Sequence, residues 1–196
     1  MGRRLRELRT ERGLSLSELA RRSGLGKATL SELESGRRNP TLETLYALTT
    51  ALRTHLTAVL APATEHAEFS GSAVNAVLLE RYQDEDATTE AFRVRIRAGA
   101  IQESPAHLPG TTERIVVLGG TARVGAVGAP SFVGPGEHAE WAGDVPHLYS
   151  APDGDVDALL IVRYPHPGHA RRDEKLLSER AANTTVESDH VRDIPG

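Results

Sequence analysis

The sequence predicts an α+β protein of two unlike domains, an all-α head of five short helices followed by an all-β barrel or double-sheet jelly roll. Three observations predict it. Apolar residues recur at spacings of three and four through the first 60 residues, whereas from residue 92 they alternate with polar ones; the two periods belong to helix and strand. The charge changes sign with the periodicity: residues 1–60 hold 11 Lys/Arg against 6 Asp/Glu, net +5, and residues 61–196 hold 12 against 21, net −9. A length of 196 residues accommodates two small cores, since compact domains commonly run to roughly 100–150 residues.

Each helix of the head has its own stop signal. Leu5 and Leu8 pattern the first, which ends at Gly13. The second runs from Leu16 to Ser23, opened by a capping box in which the Ser15 hydroxyl accepts from the Glu18 amide and the Glu18 carboxylate reaches back to the Ser15 amide. Ser23-Gly24-Leu25-Gly26 separates it from the third, Lys27 to Ser35, which the run Gly36 to Pro40 terminates. Thr41 caps the fourth, patterned by Leu42, Leu45, Leu48 and Leu52, and Leu56, Val59 and Leu60 mark a fifth. The break Ala61-Pro62-Ala63-Thr64 ends the head, giving domains at 1–60, a linker and lead-in at 61–91, a barrel at 92–165 and a polar tail at 166–196 with a helix from about Ala170 to Ala182.

The barrel is read from alternation. Phe92, Val94, Ile96 and Ala98 alternate with Arg93, Arg95 and Arg97, the pattern of a half-buried strand, and a charged segment from Asp84 to Glu90 precedes them. Glu113 to Leu118 continues the alternation; Gly119-Gly120 turns into a strand from Thr121 to Val127, Gly134-Pro135-Gly136 marks another turn, and Leu159 to Tyr164 is a last, apolar strand. Short strands with frequent Gly and Pro turns argue a small antiparallel barrel or jelly roll. Period two also sets Glu113 on the face of Ile115 and Val117, so a carboxylate points inward and needs a partner.

Composition excludes several functions. With no cysteine, disulfide scaffolds, thiolate metal sites and cysteine nucleophiles are impossible, and only His, Asp and Glu can hold a metal. No apolar run approaches the roughly 20 residues that cross a bilayer, and no signal-peptide core opens the chain, so the expected location is cytoplasmic. A basic module ahead of an acidic body is the electrostatic pattern of a head that meets phosphate. The head holds a single aromatic residue, Tyr46, on a helix with a buried apolar face, which disfavours stacking on single strands and favours duplex DNA.

The second and third helices form a helix-turn-helix over about 16–35 if the third presents a polar face: with Leu30 and Leu33 inward, Lys27, Ala28, Ser31 and Glu32 face outward. The runs Leu5-Arg6-Glu7-Leu8-Arg9, Gly13-Leu14-Ser15-Leu16-Ser17-Glu18-Leu19-Ala20 and Thr29 through Thr41 resemble the XRE, or lambda-repressor-like, DNA-binding domain across nearly all of residues 2–60. That resemblance implies base contacts from Lys27, Ala28 and Glu32, and their chemistry suits guanine N7/O6, a thymine methyl and cytosine N4 in turn. It implies backbone contacts from Ser17, Thr29, Arg37, Arg38 and Asn39, and an architectural ion pair between Arg9 and Glu34. Gly26 departs from the usual Ser or Thr cap.

A second resemblance lies in the body. Pro105-Ala106-His107-Leu108-Pro109-Gly110-Thr111-Thr112-Glu113 through Gly120, and Gly134-Pro135-Gly136-Glu137 through His147, are similar to the two cupin motifs. Metal-binding cupins supply His-x-His and Glu from the first motif and His from the second; here Pro109 stands in the second His position, leaving His107, Glu113 and His147 as candidate ligands for a divalent ion. The same residues, with Trp141 and Tyr149, are alternatively the pocket for an organic effector. His138, His166 and His169 are expected at the surface. An XRE head on a cupin body resembles bacterial regulators that sense a small molecule. The resemblance therefore implies a homodimeric, sequence-specific double-stranded-DNA-binding transcriptional regulator, a repressor in the first instance, reading a near-palindromic operator. No residue is assigned to catalysis; the alternatives are a metal-dependent dioxygenase or isomerase tethered to a DNA-binding head, and a protein-interaction adaptor.

Overall fold

The structure is a computed structural model that describes residues 1–60 and 67–166. Its head comprises α1 (Gly2–Glu11), α2 (Leu16–Ser23), α3 (Lys27–Glu34) and α4 (Leu42–Ala51), then a 3-10 turn at Leu56–Val59. The Ser15 hydroxyl accepts from the Glu18 amide at 3.1 Å, and Thr41 does the same for Thr44 at 3.3 Å. Only half of the expected capping box forms, because the Glu18 carboxylate accepts from Arg21 and Arg22 instead of the Ser15 amide. The expected fifth helix is one 3-10 turn, since His55 and Leu60 on either side of it are extended (ψ 163° and 157°). Leu19, Leu30, Leu45, Leu48 and Leu52 fill the head's core. Arg9 joins α1 to α3 through two parallel bonds to Glu34, at 2.6 and 2.9 Å, and donates to the Leu14 carbonyl at 2.9 Å.

Ten strands follow among the described residues: β1 (Glu68–Ser70), β2 (Val74–Gln83), β3 (Ala87–Ile96), β4 (Ile101–Ser104), β5 (Thr112–Gly119), β6 (Ala122–Ala126), β7 (Ser131–Val133), β8 (His138–Ala142), β9 (His147–Ser150) and β10 (Val156–Pro165). They form two antiparallel sheets, ordered β1-β2-β3-β10-β5-β8 and β4-β9-β6-β7, the double-sheet jelly roll of a cupin. In β3, Phe92, Val94 and Ile96 are buried while Arg93 and Arg95 face solvent. Arg93 pairs with Asp157 on β10 at 2.8 Å, directly across the ladder from its neighbour Arg95. Gly120 turns β5 into β6 at φ +80°, where a Cβ would sit 2.5 Å from the Asp155 carbonyl.

The barrel starts earlier than alternation indicates. Strands β1 and β2 and the start of β3 lie within the stretch read as linker and lead-in. Only the first half of β2 alternates in burial, its last five residues being exposed, and β3 opens on Ala87, Thr88 and Glu90, buried but not apolar enough to register. Strands β8 and β9 also escape the pattern, the first mostly exposed and the second, His147 to Ser150, buried at every position. His169 and the expected helix from about Ala170 to Ala182 lie outside the described residues.

Head and barrel share one continuous core, from Leu5 and Leu48 through Val59 and Phe69 to Val94 and Val162. A polar seam fixes their relation. Glu90 of β3, fully buried, accepts on one oxygen from the Thr57 amide at 2.9 Å, the Thr57 hydroxyl at 2.6 Å and His55 Nδ1 at 2.8 Å. The Glu43 carboxylate on α4 accepts from the Ser72 amide at 2.7 Å.

Candidate DNA-reading helix and buried barrel site

Helix α3 is short and amphipathic. Leu30 and Leu33 anchor it; Lys27 and Ala28 are exposed at its start, and Thr29, Ser31 and Glu32 are half-buried. Glu32 lies 3.8 Å from Arg38, so the acidic residue of this face shares its charge with one of the arginines that follow the helix. Arg37, Arg38 and Asn39 are exposed beyond its C-terminus, with Arg37 donating to the Ser35 hydroxyl at 3.0 Å. Ser17, exposed in the first turn of α2, completes the residues picked out for DNA. The Arg9–Glu34 bridge is mostly buried, both side chains being about a tenth exposed, and holds α1 against the C-terminal end of α3.

The barrel site is assembled from two loops stitched by backbone. His107 sits between β4 and β5, and its amide donates to the Gly143 carbonyl at 2.9 Å; the Gly143 amide donates to Thr111 at 2.8 Å, and the Gly110 amide to the Asp144 carboxylate at 2.7 Å. These bonds turn His107 inward despite the Pro-Gly pair that follows it. A Cβ on Gly143 would stand 3.1 Å from Glu113 Cγ and 3.4 Å from His107 Cδ2, so a side chain here would press the site residues to give by a few tenths of an ångström.

Three buried side chains, His107, Glu113 and His147, meet there. His107 Nε2 donates to Glu113 Oε1 at 2.9 Å, and His147 Nε2 lies 3.4 Å from Glu113 Oε2, which also accepts from the Tyr149 hydroxyl. His147 Nδ1 donates to the Val145 carbonyl at 2.8 Å, a bond that fixes the tautomer. In a neutral ring, Nε2 then presents a lone pair to a carboxylate with no hydrogen between them, and this atom has no hydrogen-bond partner. Burial pushes the Glu113 carboxyl up, but the His107 hydrogen bond, the electrostatic attraction of His107 and His147 and the Tyr149 hydrogen bond outweigh it and hold it below the ordinary range. Burial, with the Glu113 charge beside it, drives the Tyr149 hydroxyl well above its usual value.

One ligand atom from each of His107, Glu113 and His147 falls within 4.8 Å of the others. Donors about 2.0–2.2 Å from one ion are themselves roughly 3 Å apart, so the triad is close to the spacing a divalent cation imposes. The unmatched lone pair on His147 is the feature such an ion would satisfy. Trp141 is half-buried, its ring 5.9 Å from that of Tyr149, and His138 is exposed.

The head supplies a residue that sequence reasoning missed here. Tyr46 of α4 stacks on His107, ring centroids 4.2 Å apart, and is 4% exposed. Glu90, His55 and Thr57 were missed as well. For Glu90 a signal existed, because it keeps period two with Phe92, Val94 and Ile96 and therefore faces inward as Glu113 does.

Comparison with known proteins follows the same division. Residues 5–59 match the HTH_3 helix-turn-helix family model. The HTH-type transcriptional regulator SutR of Escherichia coli K12 is 29% identical over 165 residues, 82% of this chain and 93% of that protein. The uncharacterized HTH-type transcriptional regulator y4dJ of Sinorhizobium fredii is 50% identical over 52 residues, 26% of this chain and 68% of that protein. A crystal structure of an HTH_3 family transcriptional regulator from Vibrio cholerae superposes with a TM-score of 0.75 at 29% identity, covering 84% of this chain and 95% of that one.

Proposed function

Since the chain belongs to the helix-turn-helix transcriptional regulators and carries a cupin domain behind its DNA-binding head, we propose that it is a homodimeric repressor whose cupin domain senses a small-molecule effector. Two heads read a near-palindromic operator, with half-sites roughly one helical turn apart. Lys27, Ala28 and Glu32 contact bases, while Ser17, Thr29, Arg37, Arg38 and Asn39 hold the phosphate backbone. The single observation that carries the sensing part is the stacking of Tyr46, on a helix of the head, against His107 of the barrel triad. Whatever moves His107 must move α4 or lose that contact.

His107, Glu113 and His147 fit a divalent cation and would hold it with Pro109 leaving the fourth protein position vacant. Such an ion would neutralise Glu113 and offer open positions to an oxygen donor. The chain's own residues set its surroundings: Tyr149 orients Glu113, the Val145 carbonyl orients His147, and Tyr46 covers His107. Burial of all three ligands beneath a side chain of the head suits a sensor better than a catalyst.

The test is operator selection from a random duplex library with wild type, Lys27→Ala and Glu32→Ala. Base readout requires each variant to relax preference at a defined position while salt-sensitive binding persists. Identical selected sites from all three would reject the residue assignment. Native mass spectrometry of protein purified without chelator then reads subunit count and bound ion together.

A further inference from the structure

The seam between head and barrel holds a cavity of about 700 Å³, within the size range of small-molecule sites. The head contributes Arg53 and His55, and the barrel contributes Thr88, Leu108, Tyr164 and His166. None of the residues lining it is acidic. Leu108 and Pro109, the two residues after His107, form part of its wall.

Arg53 is the unusual residue. It closes α4 in a Schellman arrangement, its amide donating to Thr50 at 3.0 Å and the Thr54 amide to Thr49 at 2.9 Å, at φ +52°. The ends of α1, α2 and α3 solve the same problem with Gly13, Gly24 and Gly36, at φ +66°, +68° and +71°. Among the described residues Arg53 is the one non-glycine at positive φ, a backbone conformation that a Cβ disfavours. Its guanidinium is exposed and makes no hydrogen bond or ion pair with any described residue. A side chain held where glycine would be easier, unpaired among the described residues and at the edge of a cavity, has the placement of a ligand-binding group.

We propose that this cavity binds a small carboxylate with an apolar body, the carboxylate bridged by the Arg53 fork and the body lying over Leu108, Pro109, Tyr164 and Pro165. A single unpaired guanidinium matches one negative charge with two oxygens better than a phosphate dianion. The two histidines are already engaged, His55 Nδ1 with Glu90, and His166 with the Glu85 carbonyl at 3.2 Å and the Thr88 hydroxyl at 3.3 Å. They line the cavity as polar walls and leave Arg53 as its anion receptor. The inference deepens the sensing role proposed above by placing the organic effector between the domains, against both the end of α4 and the loop of His107.

The experiment uses the full chain without DNA, so its failure leaves the operator reading untouched. Octanoate and 3-phenylpropionate are titrated calorimetrically beside octan-1-ol and 3-phenylpropan-1-ol, which keep the apolar bodies and remove the charge. At least one carboxylate should bind tenfold or more tightly than its alcohol, and Arg53→Gly should abolish that preference without changing alcohol binding. The same variant should raise the Tm of the unliganded protein by about 2 °C, because glycine takes the positive φ without strain. That rise separates loss of the receptor from loss of the fold. Equal affinity of acid and alcohol, absence of binding by both carboxylates, or undiminished carboxylate binding in Arg53→Gly would each overturn the proposal.

Discussion

Replacing Glu90 with alanine should uncouple the unfolding of two domains that share one core. One Glu90 oxygen accepts three hydrogen bonds, at 2.6, 2.8 and 2.9 Å, from Thr57 and His55 of the head, while the other, buried, has no partner. Bonds to a charged acceptor contribute roughly 1.5–3 kcal/mol each, against a desolvation cost of several kcal/mol for an ion without solvent. The gain and the cost largely cancel in the native protein. The variant removes both and leaves the buried Thr57 amide and hydroxyl unpaired at about 1–3 kcal/mol, with a cavity adding to that. We expect a net destabilisation of about 3 kcal/mol, concentrated at the seam. Trp141, the chain's one tryptophan, reports the barrel by fluorescence, and far-UV circular dichroism at 222 nm reports the head's helices. In urea the two signals should coincide for wild type and separate in Glu90→Ala, the helical signal falling first. Coincident curves in the variant, displaced by less than 1 kcal/mol, would show that apolar contact alone joins the domains.

Other perturbations have equally definite outcomes. Arg9→Ala breaks a bidentate, mostly buried pair and should lower stability by about 3 kcal/mol, with Arg9→Lys recovering only part of it, by urea titration. Because the folded-state pKa of Glu113 is depressed, its ionisation stabilises the protein above the ordinary glutamate value of about 4.3, and that contribution disappears as pH falls through the folded pKa below it. Glu113→Gln should therefore be less stable at neutral pH and show a shallower loss of Tm at acid pH, measured by calorimetry; parallel acid limbs would contradict the assignment. Gly143→Ala should cost about 1–3 kcal/mol through crowding of Glu113, Thr111 and His107, whereas Gly154→Ala, with open space around it, should change stability little.

The helical head is legible because its signals are local. Caps at Ser15 and Thr41, glycine stops and leucines spaced at three and four all act within one or two turns, so α1 to α4 follow directly from the sequence. Period two revealed the centre of β3 and β5, where inward and outward positions differ in polarity, and it marked Glu113 as inward. It could not reveal β9, whose four residues are all buried, or β1, too short at three residues to carry a period. His107 and His147 were legible by motif, yet their orientation was not: the Gly143 carbonyl that holds the His107 backbone lies 36 positions away, and which His147 nitrogen meets the Val145 carbonyl two residues before it depends on the local turn. The sequence sets Tyr46 on a helix with a buried apolar face; that its ring lies on His107, 61 positions later, is a long-range fact to which no local pattern responds.

Helix α4 is common property of the two domains: Leu45 and Leu48 belong to the head's interior and Tyr46 to the cover of the barrel triad. Regulators of this kind are readily pictured as interchangeable parts, with any reading head spliced to any sensing body. Here a transplant cut after residue 60 would carry away the tyrosine that covers His107 and leave Thr57 and His55 without Glu90. A chimera that keeps both folds therefore has to import the seam along with the helix-turn-helix.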